Sequence, residues 1–426
     1  MAKPELSPRR PWKGARIVLG VTGGVAAYKS VQLARDLSRL GATVQVVQSR
    51  GSRNFVQPLS FEAVTGRPVH TDLFETSPGA SRSEPGGRAA GGAALHIRLG
   101  HDADVVCVAP ATADFLARAG TGRADDLLTT TLLVTRAPVV LCPAMNDRMW
   151  AHPSTTSNVA RCQELGYRIA GPGVGPLAYG EGEGPGRMLE PAEIVEQVGR
   201  ALCAGDPLGG RRVLVTAGPT REPVDAVRYV GNRSSGRMGF AVARAAWRRG
   251  ADVMLVTGPS PLGDPHGVRV VRVESAREMD AAVREALPGA DVVVFAAAVA
   301  DYRPRDAGAG KLKRSAVGDE LTVPLVANPD VAAGTRELRK PGAFVVGFAL
   351  ETDDAVENAR TKLDAKGFDL IVANEVGEGT GFDSETTRVT LLSPDGEPEA
   401  LPLQAKDEAA EAILDRVARR LEGAGG

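Results

Sequence analysis

Runs of apolar residues that end in small and polar ones recur along the chain, and between them the apolar positions switch to a helical period. ARIVLGVTGG reads as a buried parallel strand stopping at a glycine turn. The spacing of Val31, Ala34, Leu37 and Leu40 predicts an amphipathic helix over 26–40, ended by Gly41. ATVQVVQS is the next strand. Strand, turn, helix and strand in this order make one βαβ unit of a parallel sheet. ADVVCVAPAT, a helix over 127–135 and APVVLCPAMN continue the pattern. It resets at CAGDPLGG, residues 203–210. RRVLVTAGPT, a helix over 239–249, ADVMLVTGPS, ADVVVFAAAVADY, AFVVGFALET and FDLIVANE then alternate in the same way. The expected fold is α/β, with two doubly wound, Rossmann-like parallel-sheet domains over 16–204 and 211–426 and a linker at 205–210.

Three segments depart from this rhythm. Residues 1–15 are polar and Pro/Arg-rich and are expected to form a disordered tail. Residues 78–94, PGASRSEPGGRAAGGAA, read as a flexible insertion. Residues 171–186 are too glycine-rich and polar for a core, which makes them a surface loop or lid.

Composition narrows the function classes. A chain of 426 residues exceeds what one core serves. A net charge of −1 and only 4% aromatic residues argue against nucleic acid as a partner. The N-terminus has no apolar stretch of a secretory signal, and no segment is apolar for long enough to span a bilayer. No membrane partner and a cytoplasmic location are expected. Cys107, Cys142, Cys162 and Cys203 form no C-x-x-C pair, so reduced thiols are expected rather than a zinc or redox site.

Ligands of open parallel sheets bind outside the carboxyl ends of the strands. That focuses attention on residues 22–24, 109–114, 144–146, 217–220, 297–302 and 348–351. The first turn, G-V-T-G-G-V-A-A-Y-K, lacks the G-x-G-x-x-G of a dinucleotide site. Gly23 and Gly24 would still let backbone N–H groups approach a single phosphate at a helix N-terminus. A tight turn with no ligand fits this segment equally well. Pro110 to Asp114 and Pro143 to Asn146 follow two other strands, and His96 sits in LHIRLG. A lone histidine is commonly structural.

Taken together, V-T-G-G-V-A-A-Y-K, H-I-x-L, P-A-T-A-D, A-D-D-L-L, P-A-M-N and G-P-G-R-M resemble, in order, the homo-oligomeric flavin-containing cysteine decarboxylase family over about residues 16–200. The resemblance implies a flavodoxin-like domain with FMN held between subunits and lined by Gly23, Gly24, Ser49 and Thr112. It implies His96 as catalytic base and Asn146 as the holder of the substrate carboxylate. Oxidising the cysteine end of the substrate supplies the electron sink that lets CO₂ leave. The family's lid carries Ala-Cys-Gly, whose thiol donates a proton. Here the lid reads L-A-Y-G-E-G-E-G-P-G-R-M, with Tyr179 in that place and one extra residue. Tyr179, water or another acid would supply the proton, or the last step is impaired. A flavin-binding redox protein, or a regulatory subunit with an inactive decarboxylase domain, stays open as an alternative.

In the second half GNRSSGRM has the glycine spacing of a P-loop, but Arg237-Met238 stands where Lys-Ser/Thr is required. Arg228, Asn232, Arg233, Ser234 and Ser235 offer donors to an oxyanion, or the segment simply caps the next helix. Small residues before Asp301 would let a flat base approach the backbone. Lys311, Lys313 and Arg314 form a basic run, a composition usually found on a solvated surface. Lys362 and Lys366 stand on one face of a predicted helix. T-A-G-P-T-R-E-P-V-D, V-R-Y-V-G-N-R-S-S-G-R-M-G, A-A-V-A-D-Y, K-L-K-R, A-N-P-D, G-F-A-L-E-T and K-x-x-x-K resemble the phosphopantothenate–cysteine ligase family over residues 212–375. This resemblance implies a CTP site formed by Phe295, Ala296, Ala297, Asp301, Lys311, Pro329, Asp330, Val331, Ala332, Phe348, Lys362 and Lys366. It implies substrate binding by Arg228 and Asn232, catalytic roles for Asn232 and Lys311, and Mg²⁺ on the triphosphate. The two resemblances together imply a homo-oligomeric, bifunctional enzyme of coenzyme A synthesis. Its substrates would be 4′-phosphopantothenate, cysteine and CTP.

Overall fold

Five parallel strands, β1 (Arg16–Val21), β2 (Thr43–Gln48), β3 (Val105–Ala111), β4 (Val139–Pro143) and β5 (Arg168–Ile169), form the first sheet in the order β2-β1-β3-β4-β5. The computed structural model describes residues 9–74, 94–308, 310–351, 355–375, 384–394 and 396–423. The chain divides into two units, Met1–Ala204 and Gly205–Gly426. In the first, helices α1 (Ala27–Arg39), α2 (Pro58–Thr65), α3 (Leu95–Asp102), α4 (Ala113–Thr121), α5 (Leu127–Val134), α6 (Asp147–Ala151), α7 (Pro153–Glu164) and α8 (Pro191–Leu202) surround this sheet.

Both faces of the sheet are covered, which is why its strands are almost wholly apolar. Ile17, Leu19 and Val21 of β1 pack with Leu33, Leu37 and Val198 on one face. Val18 packs with Phe115 and Leu128 on the other. Gly20 has no room for a side chain, since a Cβ would lie 2.7 Å from the Leu128 methyl groups. The strand order is flavodoxin-like, and it reverses between β1 and β3.

The expected tail is part of the fold from Arg9 onward. Trp12 is fully buried in the first core, and its indole N–H donates to the Val195 carbonyl at 3.2 Å. The insertion 78–94 lies outside the described residues except for Ala94, which precedes α3. The lid segment forms an antiparallel hairpin of β6 (Gly173–Pro176) and β7 (Glu183–Arg187).

The second unit has an eight-stranded sheet. Its parallel strands are β8 (Arg212–Ala217), β11 (Asp252–Thr257), β12 (Arg269–Arg272), β13 (Val292–Phe295), β16 (Phe344–Glu351) and β17 (Leu370–Glu375), in the order β12-β11-β8-β13-β16-β17. Two antiparallel strands, β19 (Val389–Leu392) and β20 (Glu399–Ala400), complete that edge. Short strands pair outside it: β9 (Arg221–Pro223) with β10 (Tyr229–Gly231), β14 (Tyr302–Pro304) with β15 (Leu325–Ala327), and β18 (Thr386–Thr387) with β21 (Gln404–Ala405). The helices are α9 (Arg237–Arg248), α10 (Ala276–Ala286), α11 (Arg314–Val317), α12 (Val331–Gly334), α13 (Ala355–Lys366) and α14 (Lys406–Gly423).

A buried ion network holds α14 to α9. Arg248 reaches Glu411 at 2.9 Å, and Arg249 reaches Glu411 at 2.8 Å and Asp415 at 2.5 Å. Asp206 lies 3.6 Å from Arg249, and Leu208 is fully buried in the second core. The expected linker 205–210 is therefore packed into the second unit. Burial pushes the Asp206 carboxyl up, and the nearby Arg249 only partly offsets it.

Candidate active sites

The loops after β1, β2, β3 and β4 line a cavity of about 940 Å³ in the first unit. Helix α1 begins there with Ala26, which offers no side-chain cap, and with no acidic residue in its first turn. Its N–H groups and positive dipole end are thus open to an anion. Gly23 packs on the neighbouring loop, where a Cβ would stand 2.9 Å from the Gly51 carbonyl carbon. The Thr22 hydroxyl donates to the Pro110 carbonyl at 2.7 Å. Thr112 caps α4 by accepting from Phe115 N–H at 3.3 Å. Asn146 caps α6 by accepting from Arg148 N–H at 2.9 Å, which leaves its amide N–H groups facing the hairpin. One of them donates to the Glu181 carboxylate at 3.0 Å.

Gly23, Gly24, Ser49, Thr112 and Asn146 all line this cavity. His96 does not. It stands half-buried in the first turn of α3, with Nδ1 buried and without a hydrogen-bond partner among the described residues. Tyr179 does not line the cavity either. Its ring is fully exposed at the hairpin tip, so within one chain the phenol does not enter this cavity as the lid motif led us to expect. From the hairpin turn, Leu177, Ala178 and Glu181 line the cavity.

Lys29, Arg187 and Arg118 line it too and were not singled out from the sequence. Lys29 and Arg187 share Glu190 at 2.8 and 2.5 Å. The Lys29 hydrogen bond leads in holding the Glu190 carboxyl below its ordinary range, against a smaller effect of burial. Arg118 bridges Asp114, Asp125 and Asp126.

In the second unit the sheet order reverses beside β8, and a cavity of about 600 Å³ opens there. Its floor is the run Phe295–Asp301. Thr216 and Thr220 accept from the N–H groups of Ala297 and Ala300 at 3.2 and 2.9 Å. Asn232 donates to the Val299 carbonyl at 3.0 Å, which places its amide over the same run. Phe295, Ala296, Ala297, Asp301, Pro329, Asp330, Val331, Ala332, Phe348, Lys362 and Lys366 all line this cavity. Lys366 pairs with Asp330 at 2.9 Å. Helix α9 starts at the cavity with Gly236, which gives no side-chain cap, and has no acidic residue in its first turn.

Lys311 and Arg228 are not among the lining residues. Their segment is tethered to one side. Leu312 N–H donates to Asp225 at 3.1 Å, Arg228 donates to the Leu312 carbonyl at 3.2 Å, and Arg228 pairs with Asp225 at 3.5 Å. Hydrogen bonds from the Val227 backbone, and then from Arg228 and Leu312, keep the Asp225 carboxyl low. Sequence reading also passed over Lys406, which is buried at the start of α14 and lines the cavity. A charged residue buried beside a cavity is a recognisable signal, but only once the fold has brought α14 there.

Residues 5–202 match the Flavoprotein family, and residues 208–421 match the DNA/pantothenate metabolism flavoprotein C-terminal domain. The coenzyme A biosynthesis bifunctional protein CoaBC of Vibrio cholerae is 44% identical over 94% of this chain and 97% of its own length. The chain belongs to the CoaBC family. The CoaBC protein of Escherichia coli is likewise 44% identical, over 96% of this chain and 98% of its own. A crystal structure of a CoaBC C-terminal domain covers 51% of this chain and 100% of that chain, at 37% identity and a TM-score of 0.44. In each half of this CoaBC family member a cavity lies at the point where the strand order reverses.

Proposed function

We propose that this chain catalyses two consecutive steps of coenzyme A synthesis. The second half ligates 4′-phosphopantothenate to cysteine with CTP. The first half, a flavin domain over about residues 16–204, decarboxylates the product to 4′-phosphopantetheine. The observation that carries the reading is the gathering of the expected CTP residues around one cavity and of the expected flavin residues around another, on a chain of the CoaBC family.

In the ligase half the phosphopantothenate carboxylate attacks the α-phosphate of CTP, and pyrophosphate leaves. The cysteine amine then attacks the acyl carbon, and CMP leaves. Lys362, Lys366 and the open end of α9 would meet the triphosphate, and the small residues 296–300 would admit the base. Asn232 steadies the acyl-cytidylate. Lys311 is brought to the phosphates by its loop, and Arg228 positions that loop. Mg²⁺ travels on the nucleotide. Among the described residues no group of three His, Cys, Asp or Glu side chains is placed to hold a metal.

The first cavity suits FMN. The uncapped end of α1, Gly23, Gly24 and Ser49 would take the phosphate, and Thr112, Met145 and Met149 would line the rest. When bound, the flavin supplies the two-electron oxidation that makes CO₂ a leaving group. Asn146 holds the substrate carboxylate. His96, half-buried with Nδ1 unsatisfied, would serve as base in the cavity of a second copy of the chain. This arrangement makes the enzyme a homo-oligomer. The substrates are those of a cytoplasmic pathway, and no helix among the described residues is long and apolar enough to cross a membrane.

The test is to supply the purified protein with phosphopantothenate, cysteine and CTP and to identify the products by mass. CMP, pyrophosphate, CO₂ and phosphopantetheine are expected from a yellow protein. A yellow protein that stops at phosphopantothenoylcysteine would reduce the first half to a flavin-binding module.

A further inference from the structure

The decarboxylase reading needs a proton at the end of the reaction, and no cysteine lies in the lid to give it. The hairpin turn is fixed by Leu177 N–H donating to the Gly182 carbonyl and Glu181 N–H donating to Ala178, both at 2.9 Å. This turn leaves the Tyr179 ring fully exposed and sets the Glu181 carboxylate, itself on the exposed side of the hairpin, 3.0 Å from the Asn146 amide. Lys29 and Arg187 are engaged with Glu190, and Arg118 with three aspartates. Among the described residues none of these cations pairs with Glu181. Its charge is met in the cavity by the Asn146 amide.

We propose that Glu181 is the lid acid, the group that protonates the substrate carbon from which CO₂ has left. The inference rests on the decarboxylase reading above. Asn146 is the residue expected to hold the substrate carboxylate, and Glu181 already occupies one of its two amide N–H groups. A substrate carboxylate held at the same amide would stand beside the Glu181 carboxyl, and like charges that close favour the protonated form of one of the pair. Departure of neutral CO₂ moves that negative charge from the carboxylate on to the enethiolate. The Glu181 O–H bond then breaks as a C–H bond forms at the carbon that bore the carboxylate, and the enethiolate becomes a thioaldehyde. A reduced flavin, when bound, would supply the hydride that turns this thioaldehyde into the saturated thiolate, returning the two electrons taken in the oxidation. Glu181 ends ionised and free to return to Asn146.

Glu181→Gln in the flavin-loaded enzyme tests this directly. With phosphopantothenoylcysteine the variant should release one equivalent of CO₂ per site, and its flavin should stay bleached. Mass analysis should find the unsaturated enethiol, with formation of saturated thiol slowed by about 100-fold or more. Glu181→Asp should restore part of that step. Independently of turnover, Glu181→Gln should bind the serine analogue of the substrate, which keeps the carboxylate but has no thiol to oxidise, several-fold more tightly than the wild type. Binding of phosphopantetheine should not change. Saturated thiol formed at the wild-type rate with the flavin reoxidised, or an unchanged affinity for the serine analogue, overturns the assignment. A wild-type yellow enzyme that releases no CO₂ overturns the decarboxylase reading, and this assignment with it.

Discussion

The Thr22 hydroxyl donates to the Pro110 carbonyl at 2.7 Å and accepts from Thr112 N–H at 3.2 Å, which ties the loop after β1 to the loop after β3. These two loops flank the gap where the strand order reverses. Both are lined up by one buried side chain.

Thr22→Val keeps the shape of that side chain and removes both bonds. An unsatisfied buried polar group costs about 1–3 kcal/mol, so the first unit should melt several degrees lower. The glycine turn proposed to take the flavin phosphate should also loosen. Flavin retained through gel filtration, with melting followed in parallel, reads both effects. An unchanged flavin content at an unchanged melting temperature would show that the tether does not set the turn.

Tyr179→Phe separates the hairpin tip from the chemistry. The ring is fully exposed and outside the cavity. A surface change of this kind alters free energies by at most about 0.5 kcal/mol, so phosphopantetheine should form within about two-fold of the wild-type rate. Accumulation of the unsaturated product in this variant would return the donor role to the phenol.

The strands and their order of occurrence were legible because a sheet covered on both faces needs continuous apolar runs, and those runs ended where the ligand loops begin. The residues at the loops followed from motif. Other features depend on partners distant in sequence. Trp12 looked like part of a polar tail, yet its indole finds the Val195 carbonyl 183 positions away. Leu208 looked like linker until the α9–α14 ion network drew Asp206 beside Arg249. Glu181 and Tyr179 both lie in the turn between β6 and β7, and only the turn's own hydrogen bonds, Leu177 N–H to Gly182 and Glu181 N–H to Ala178, decide which of them meets the cavity. His96 and Lys311 were singled out from motifs, and a single chain does not bring either to its cavity.

The Lys366–Asp330 pair gives the ligase half an acid-sensitive contact. Burial alone would raise the Asp330 carboxyl, but the Ala333 backbone N–H and the Lys366 ammonium outweigh it, and the folded value lies below the ordinary one. A carboxyl depressed on folding stabilises above its unfolded pKa, about 4, and that stabilisation disappears as pH falls through the lower folded value. Lys366→Met should therefore lose stability at neutral pH and approach the wild type as pH drops below about 4. Urea midpoints of the two proteins across that range give the comparison. A difference that stays constant with pH would show that Lys366 contributes packing and not charge.

Gly239 sits in the first turns of α9, where the helix meets the end of β8. A Cβ there would stand 2.6 Å from the Ala217 Cβ and 3.0 Å from the Thr216 carbonyl oxygen. Gly239→Ala brings two opposing effects. Alanine favours a helix over glycine by about 1 kcal/mol. Overpacking a close contact costs about 1–3 kcal/mol, and here the obstacle is backbone and a Cβ, neither of which can rotate away. Overpacking wins, so the second unit should lose up to about 2 kcal/mol. The helix can relieve the clash only by backing off the sheet, and that carries Gly236 and Arg237 away from the cavity they line. The KM for CTP should then rise several-fold, while flavin content in the first half stays at the wild-type level. Greater stability with an unchanged KM would mean that the close approach of α9 to β8 is not what presents its N-terminus to the nucleotide.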